Sequence, residues 1–363
     1  VLSLILAIDG MGGDYAPDIT IEGMAKAAER MPQLRFELFG HQEKIEPLLK
    51  KHSHLLTITR FHPTTEVITS DTKPTAAIRG FKDSSLRRAL TAVGQGLASG
   101  IVSAGNTGAY MALSRLILGT LPGIDRPAIG GLMPTFNGPK VMLDMGANVE
   151  VSAENLVEFA IMGVAFARAI LGISEPSVGL LNIGTEELKG NATIKLAYQA
   201  LKGSALFPNF KGFVEGDSLS QGSVDVIVAD GFAGNICLKT AEGTGKLLGH
   251  FLREGIERSF LSKLGVLLAR PAFNYLRDKI DPRRYNGAPF LGLKNVAVKS
   301  HGGTDGEGFL QAITVAANMI EKNINAGISR EILAFSNLNS VDEKPKNFLL
   351  NSESEVTTNF EIA

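Results

Sequence analysis

Short apolar runs alternate along this chain with longer segments in which apolar positions recur every three to four residues. The short runs, at residues 4–8, 35–39, 55–61, 100–103, 141–144, 178–183 and 225–229, predict strands. The longer ones, at 19–30, 85–98, 107–118, 153–171, 192–202 and 236–258, predict helices. Val178-Gly-Leu-Leu-Asn-Ile183 does not alternate between apolar and polar, as expected when helices cover both faces of a sheet. The pattern therefore predicts an α/β fold of three layers, α/β/α, around a mostly parallel sheet. No repeat of fixed period interrupts it.

Two stretches depart from the pattern. Residues 253–284 mix Phe260, Leu261, Leu264, Val266, Leu267, Leu268, Phe273, Tyr275 and Leu276 with eight cations, from Arg253 to Arg284. Only Glu254, Glu257, Asp278 and Asp281 oppose them, a local excess of four positive charges. Pro271 divides the stretch, which predicts a projecting amphipathic pair of helices. With its leucines near the break, such a pair suits the headgroup boundary of an anionic membrane; burial in a dimer interface is the competing reading. Residues 336–363 are rich in Asn, Ser and acids and predict a loosely held tail after a main α/β domain spanning 1–335.

At 363 residues the chain is long enough for a substantial core, and 44% hydrophobic with 20% charged residues is a globular composition. Its net charge of -1 gives no support to a nucleic-acid partner. A single cysteine, Cys237, excludes an intramolecular disulfide or a Cys-rich zinc site and fits a reducing cytoplasm. The first eight residues read as a buried strand, and no uncharged apolar run approaches the length of a membrane span.

Four strand-to-helix turns carry the candidate chemistry. They are Ile101-Val-Ser-Ala-Gly-Asn-Thr-Gly-Ala109, Met142-Leu-Asp-Met-Gly-Ala-Asn-Val149, Leu181-Asn-Ile-Gly-Thr-Glu-Glu-Leu-Lys-Gly-Asn191 and Val228-Ala-Asp-Gly-Phe-Ala-Gly-Asn235. In a parallel sheet such turns gather at one edge, where ligands bind. Glycines there let backbone N–H groups approach an anion, and helix N-termini favour negative charge. One such turn is ordinary capping chemistry; four of them, carrying Asp144, Asn148, Asn182, Lys189, Asp230 and Asn235, indicate a site.

Nucleotide motifs fail on inspection. Gly10-Met-Gly-Gly13 lacks the third glycine of a dinucleotide fingerprint, and Gly243-Thr-Gly-Lys246 lacks the P-loop Ser/Thr and lies in a helical pattern. The six histidines form no H-x-x-x-H pair, and no G-x-S-x-G elbow is present. Cys237, flanked by Ile236 and Leu238, reads as a small core residue near the start of a helix. Chemistry without a covalent enzyme intermediate is expected.

Taken together, the motifs resemble the phosphate acyltransferase family of bacterial phospholipid synthesis, the PlsX family. The matching stretches are Ala7-Ile-Asp-Gly-Met-Gly-Gly-Asp14 with Ala16-Pro17, Ser103-Ala-Gly-Asn-Thr-Gly-Ala109, Gly123-Ile-Asp-Arg-Pro127 and Asp144-Met-Gly-Ala-Asn-Val149. Leu180-Leu-Asn-Ile-Gly-Thr-Glu186, Lys189-Gly-Asn191, Asp230-Gly-Phe-Ala-Gly-Asn235, Tyr285-Asn-Gly-Ala-Pro-Phe-Leu-Gly-Leu293 and His301-Gly302 continue them in order. Gly10 stands where the family often has Ala, and Asn286 where it often has Gly. The resemblance implies transfer of a long acyl group from acyl carrier protein to inorganic phosphate, giving acyl phosphate. It also implies a homodimer with a fold akin to phosphotransacetylase and isopropylmalate dehydrogenase, and no metal, nucleotide or prosthetic group. The expected location is cytoplasmic, with peripheral contact at the inner face of the cell membrane.

The residues supply a compatible mechanism. Phosphate is a competent nucleophile, so the protein must position it and stabilise the oxyanion at the thioester carbon. The N–H groups of Asn106, Thr107 and Gly108, following Gly105, are the expected phosphate cradle. Asp144, Asn148, Asn182 and Asp230 are further expected substrate contacts. Lys189 is the expected counter-charge, Asn235 the donor to the thioester oxygen, and His301 a donor to phosphate or the departing thiolate. Asp9, Gly12, Gly13 and Asp14 are expected to orient these groups from behind. Two alternatives stand beside this reading: a nicotinamide- and metal-dependent dehydrogenase of the isopropylmalate type, and a non-catalytic membrane-associated scaffold built on 253–284.

Overall fold

Strands that are apolar on both sides must be covered on both sides, and the computed structural model, which describes residues 4–341, accomplishes this with two sheets. The chain begins with β1 (Leu4–Asp9), α1 (Asp18–Arg30), β2 (Leu34–Gly40), α2 (Gln42–Lys51), β3 (Thr59–Pro63), α3 (Pro74–Arg79) and α4 (Ser85–Gly94). It continues through β4 (Gly100–Ser103), α5 (Thr107–Leu118) and β5 (Ala128–Ile129). It then leaves to build a second sheet from β6 (Gly131–Met133), β7 (Lys140–Leu143), α6 (Ala153–Leu171), β8 (Val178–Leu181), α7 (Ala192–Lys202), β9 (Phe210–Val214) and β10 (Val226–Val228). Three consecutive helices follow, α8 (Gly231–Glu257), α9 (Phe260–Leu268) and α10 (Arg270–Ile280). The chain returns with β11 (Ala288–Leu291), β12 (Val296–Lys299), α11 (Gly306–Glu321) and α12 (Ile324–Val341).

The first sheet runs β3-β2-β1-β4-β12-β11-β5, with β1 to β4 and β12 parallel and β11 antiparallel to both neighbours. The second runs β6-β7-β10-β8-β9, parallel except for β6. One large apolar cluster nevertheless extends through both, joining Leu6 and Ile8 of β1 to Val141 and Leu143 of β7. Helix α6 lies at its centre, burying Phe159, Met162 and Phe166 while packing on β7, β10, α7 and α12.

Helix boundaries follow their caps. Ser152 and Asn155 form a capping box at the start of α6, and Gly172, in a left-handed conformation, ends it. The side chains of Asn106 and Asn191 cap α5 and α7, so these three helices occupy the spans expected from periodicity. Helix α8 begins at Gly231 rather than at 236, because Asp230 caps it and its small first residues hide the helical pattern. The expected strand at 55–61 is a 3-10 turn over Ser53–Thr57, which tucks Leu55 inside, followed by β3.

The helix expected to 98 ends at Gly94, with Gly96 at positive φ just beyond. Residues 336–341, expected in the tail, extend α12; the rest of that tail lies outside the described residues. Residues 253–284 comprise the end of α8, then α9 and α10, and the two shorter helices meet beside Pro271, which lies in the first turn of α10. Replacing Phe166 by alanine removes a fully buried ring from the central helix and should cost about 3–5 kcal/mol. Chemical denaturation measures it, and a loss below about 1 kcal/mol would contradict the central place given to α6.

Candidate active site

Strands β1, β4 and β12 lie side by side and parallel, so their carboxyl ends form one edge. Asp9 ends β1 and is buried. Its carboxylate accepts hydrogen bonds from the hydroxyls of Ser85 (2.6 Å) and Ser103 (2.7 Å) and from the Met11 N–H (3.2 Å). Burial raises its pKa, while these donors pull it back. Ser103 Oγ in turn accepts from the Gly105 N–H at 3.0 Å. Gly12 fits so closely here that a Cβ would stand 2.5 Å from the Asp9 carboxylate and 2.6 Å from the Gly105 nitrogen. Gly13 follows with φ +109°, and the Asp14 N–H reaches the Gly302 carbonyl at 2.9 Å. Asp9, Gly12, Gly13 and Asp14 thus brace the neighbouring turns.

The turn from β4 into α5 holds the expected cradle. The Asn106 side chain is committed to the turn itself: Oδ1 accepts from Ala109 N–H, while Nδ2 donates to the carbonyls of Thr69, Ser70 and Thr72. Among the described residues, nothing accepts the N–H groups of Asn106, Thr107 or Gly108, as at any open helix start. At the end of β12, Lys299 Nζ donates to the carbonyls of Ala104 (3.1 Å) and Ser300. His301 donates its N–H to Asn286 Oδ1, and its Nδ1 accepts from the Gly303 N–H at 3.2 Å. The ring proton therefore belongs on Nε2.

The second sheet carries the other expected residues, on the turns after β7, β8 and β10. Four expected substrate contacts lie here, and each makes hydrogen bonds within its own loop or to a neighbouring one. Asp144 is fully buried and accepts from the N–H groups of Ile129, Gly146, Ala147 and Asn148 and from Asn148 Nδ2, so no part of it faces a substrate. Asn148 spends its amide on Asp144 and the Pro127 carbonyl. Asp230 caps α8 by accepting from the Ala233 N–H at 2.7 Å. Asn182, also buried, donates to the Gly184 carbonyl and lies against Gly190, whose φ of +91° shapes the turn after Lys189. These four residues fix loops.

Helix α8 can lie directly on the Asp144 loop only because its first turn is small. A Cβ at Gly231 would stand 2.6 Å from the Asn148 carbonyl oxygen, and one at Gly234 would overlap the Asp144 carbonyl. This approach sets Asn235 against Gly146, exposed and with no side-chain hydrogen bond among the described residues. Lys189 is likewise exposed, on the loop after β8, with its stem against Gly184 and no ion pair among the described residues.

Two cations missed in the sequence join the halves. Lys239 follows Asn235 by one turn, pairs with Glu242 at 2.8 Å, and its charge acts on both Lys299 and His301. Burial, with help from Lys239, lowers the Lys299 pKa to about 8, against the opposing pull of Asp14 and Asp9. Partial burial and then Lys239 lower that of His301 and keep it neutral near pH 7. Lys299 closes the short apolar strand Val296–Lys299, whose four residues are too few to show a period. Cys237 lies well inside α8 rather than near its start, and burial raises its pKa, so the thiol is not activated. Among the described residues, no group of three His, Cys, Asp or Glu side chains is arranged to hold a metal ion.

Comparison with known proteins adds a family to this geometry. A model of the family described as "Fatty acid synthesis protein" matches residues 4–327. A phosphate acyltransferase of Rhodospirillum centenum is 52% identical over 90% of this chain and 92% of its own length. Another, from Paramagnetospirillum magneticum, is 51% identical over 91% of this chain and 94% of its own. Among solved structures, a phosphotransacetylase from Streptococcus pyogenes shares the fold with a TM-score of 0.59 at 18% identity, covering 88% of this chain and 94% of its own. A branched-chain phosphotransacylase from Enterococcus faecalis does so at 0.56 and 14% identity, over 87% of this chain and 99% of its own. The expected three-layer α/β/α fold is that of these neighbours.

Lys189→Met and Asn235→Ala should each lower turnover by roughly 10²–10³, the scale for losing one preorganised donor. Both side chains are exposed, so circular dichroism and melting temperature should not change. Near-normal turnover in either folded variant removes that residue from the site.

Proposed function

This chain belongs to the fatty acid synthesis protein family and is an acyltransferase, and we propose that it moves a long-chain acyl group from acyl carrier protein to inorganic phosphate. The observation that carries the reading is the open N-terminus of α5. Its three N–H groups, which have no acceptor among the described residues, follow the Ala104 carbonyl that the Lys299 ammonium holds, and no carboxylate pairs with Lys299 among the described residues. Such a place suits a phosphate dianion. The dehydrogenase and scaffold alternatives leave these donors without a task, and the family assignment favours neither.

In the proposed reaction a phosphate oxygen attacks the thioester carbon. The new C–O bond forms, the carbonyl oxygen takes up negative charge, and the C–S bond then breaks to release the carrier thiolate. Lys189 and the Asn235 amide stabilise the oxyanion from the second sheet. His301, neutral and protonated on Nε2, supplies a proton to phosphate oxygens or to the departing sulfur. Asn106, Thr107 and Gly108 act through backbone N–H groups.

The test mixes an acyl carrier thioester with the protein. Thiol release should require phosphate and be matched by hydroxylamine-trappable acyl phosphate, and Cys237→Ala should retain most activity. Thiol release without phosphate, or an acyl group found on Cys237 by intact-protein mass spectrometry, contradicts direct attack.

The projecting helices fit the same reading. Helix α9 has no buried residue, and Phe260, Leu261, Leu267 and Leu268 are each more than 60% exposed. No helix among the described residues is long and apolar enough to cross a membrane. We propose that this tip rests on anionic lipid, where an acyl phosphate would be handed on, while a second copy of the chain covers the exposed Leu247, Leu248, Phe251 and Leu252 of α8. Leu264→Glu with Leu267→Glu should abolish flotation with anionic vesicles and leave the dimer intact. Conversion to monomer, or unchanged flotation, contradicts the tip assignment.

A further inference from the structure

Lys299 is the least expected charge in the protein. It is partly buried, and desolvation lowers its pKa to about 8, yet no carboxylate forms an ion pair with it among the described residues. Buried cations are ordinarily neutralised by a partner. An ammonium has three donors, and two are spent, on the Ala104 and Ser300 carbonyls; the third has no acceptor among the described residues. Ala104 is the residue before the Gly105–Gly108 turn. On the other side of that turn, Ser103 Oγ links the Gly105 N–H to the Asp9 carboxylate. The turn is therefore gripped from two sides, by an ammonium on its carbonyl and by a hydroxyl on its N–H.

We propose that Lys299 is a positioning residue for phosphate: it fixes the Ala104 carbonyl, so that the N–H groups that follow are aimed at the anion, and it supplies the positive charge behind them. This inference rests on the phosphate-binding reading of the α5 N-terminus. The charge is usable because its surroundings leave it unneutralised. Asp9 is held by Ser85 and Ser103, and Asp14 acts on Lys299 without forming an ion pair. Lys239 faces it from α8, and neutral His301 follows it in the chain. Tyr110 of α5, whose hydroxyl donates to the Ile101 and Val298 carbonyls, stays protonated because burial holds its pKa well above the usual value.

An unneutralised ammonium next to the anion site makes phosphate capture depend on pH. The free protein should take up phosphate with Lys299 protonated and lose that charge as pH rises through about 8. Over this range inorganic phosphate is already dianionic, so its own ionisation adds no alkaline limb. His301 is displaced below its usual value and Cys237 above its own, so neither titrates in the same place.

The experiment measures kcat and KM for phosphate and for acyl thioester against pH in the wild-type protein, Lys299→Arg and Lys299→Met. In the wild type, kcat/KM for phosphate should fall about tenfold per pH unit above about 8, as loss of one proton from the free enzyme requires. Lys299→Arg, which stays charged, should retain turnover and lose that limb. Lys299→Met should raise KM for phosphate at least tenfold while leaving KM for thioester unchanged. If the methionine variant does not fold, the arginine profile decides alone. A wild-type profile flat above pH 8, an unchanged limb in Lys299→Arg, or equal effects of Lys299→Met on both substrates overturns the role of Lys299. Absence of any phosphate-dependent turnover in the wild type instead removes the phosphate reading, and this inference with it.

Discussion

The site depends on a carboxylate that does not meet solvent. Asp9 ends the first strand in the interior, where an unpartnered charge would cost many kcal/mol, and it persists there because Ser85, Ser103 and the Met11 N–H all point donors at it. Bonds of this charge-assisted kind contribute about 1.5–3 kcal/mol each, enough together to hold three separate segments in register. Burial still prevails over the donors, and the Asp9 pKa lies above its ordinary value. Through Ser103 the carboxylate sets the Gly105 N–H, and through Gly12 it admits a loop with no room for a side chain. The open helix start of α5 is the consequence.

The second sheet repeats the device with different partners. Asp144 ends β7 as Asp9 ends β1, and it gathers the N–H groups of its own loop and that of Ile129 from β5 of the first sheet. That bond to Ile129 ties the two sheets together at the edge where their turns meet. Helix α8 then lies on the Asp144 loop through Gly231 and Gly234, setting Asn235 beside Gly146 and directing Lys239 toward Lys299 and His301. Two buried acids build the frame, and the groups left unpaired are mainly donors and cations. An anion and an oxyanion are the ligands such a frame suits.

Much of this was legible in the sequence where a local cap or a long apolar period governs the structure. Helices α5, α6 and α7 fall on their expected residues because Asn106, Ser152 and Asn191 cap them with their own side chains. The four glycine-rich turns lie at the carboxyl ends of parallel strands, as their pattern implied. Illegible were features decided by tertiary contact: β5, β6 and β11 have two to four residues each, too few to show a period, and the division into two sheets follows from their pairing. The same limit applied to the site. Asp144, Asn148 and Asp230 carry the residue types of ligand contacts, and only their hydrogen bonds reveal that all three hold loops and that Asp144 is wholly enclosed. Lys299 was illegible because a lysine after three apolar residues resembles a strand end reaching solvent, and its bonds to the Ala104 and Ser300 carbonyls are a fact of three dimensions.

The central claim is a location for phosphate, and a crystal structure determined with saturating inorganic phosphate tests it most directly. The account places the anion at the start of α5, within hydrogen-bonding distance of the backbone nitrogens of Thr107 and Gly108, on the side of the turn gripped by Lys299 and facing Asn235. Phosphate bound instead only among the exposed arginines at Arg283 and Arg284, with the α5 turn vacant, would contradict it.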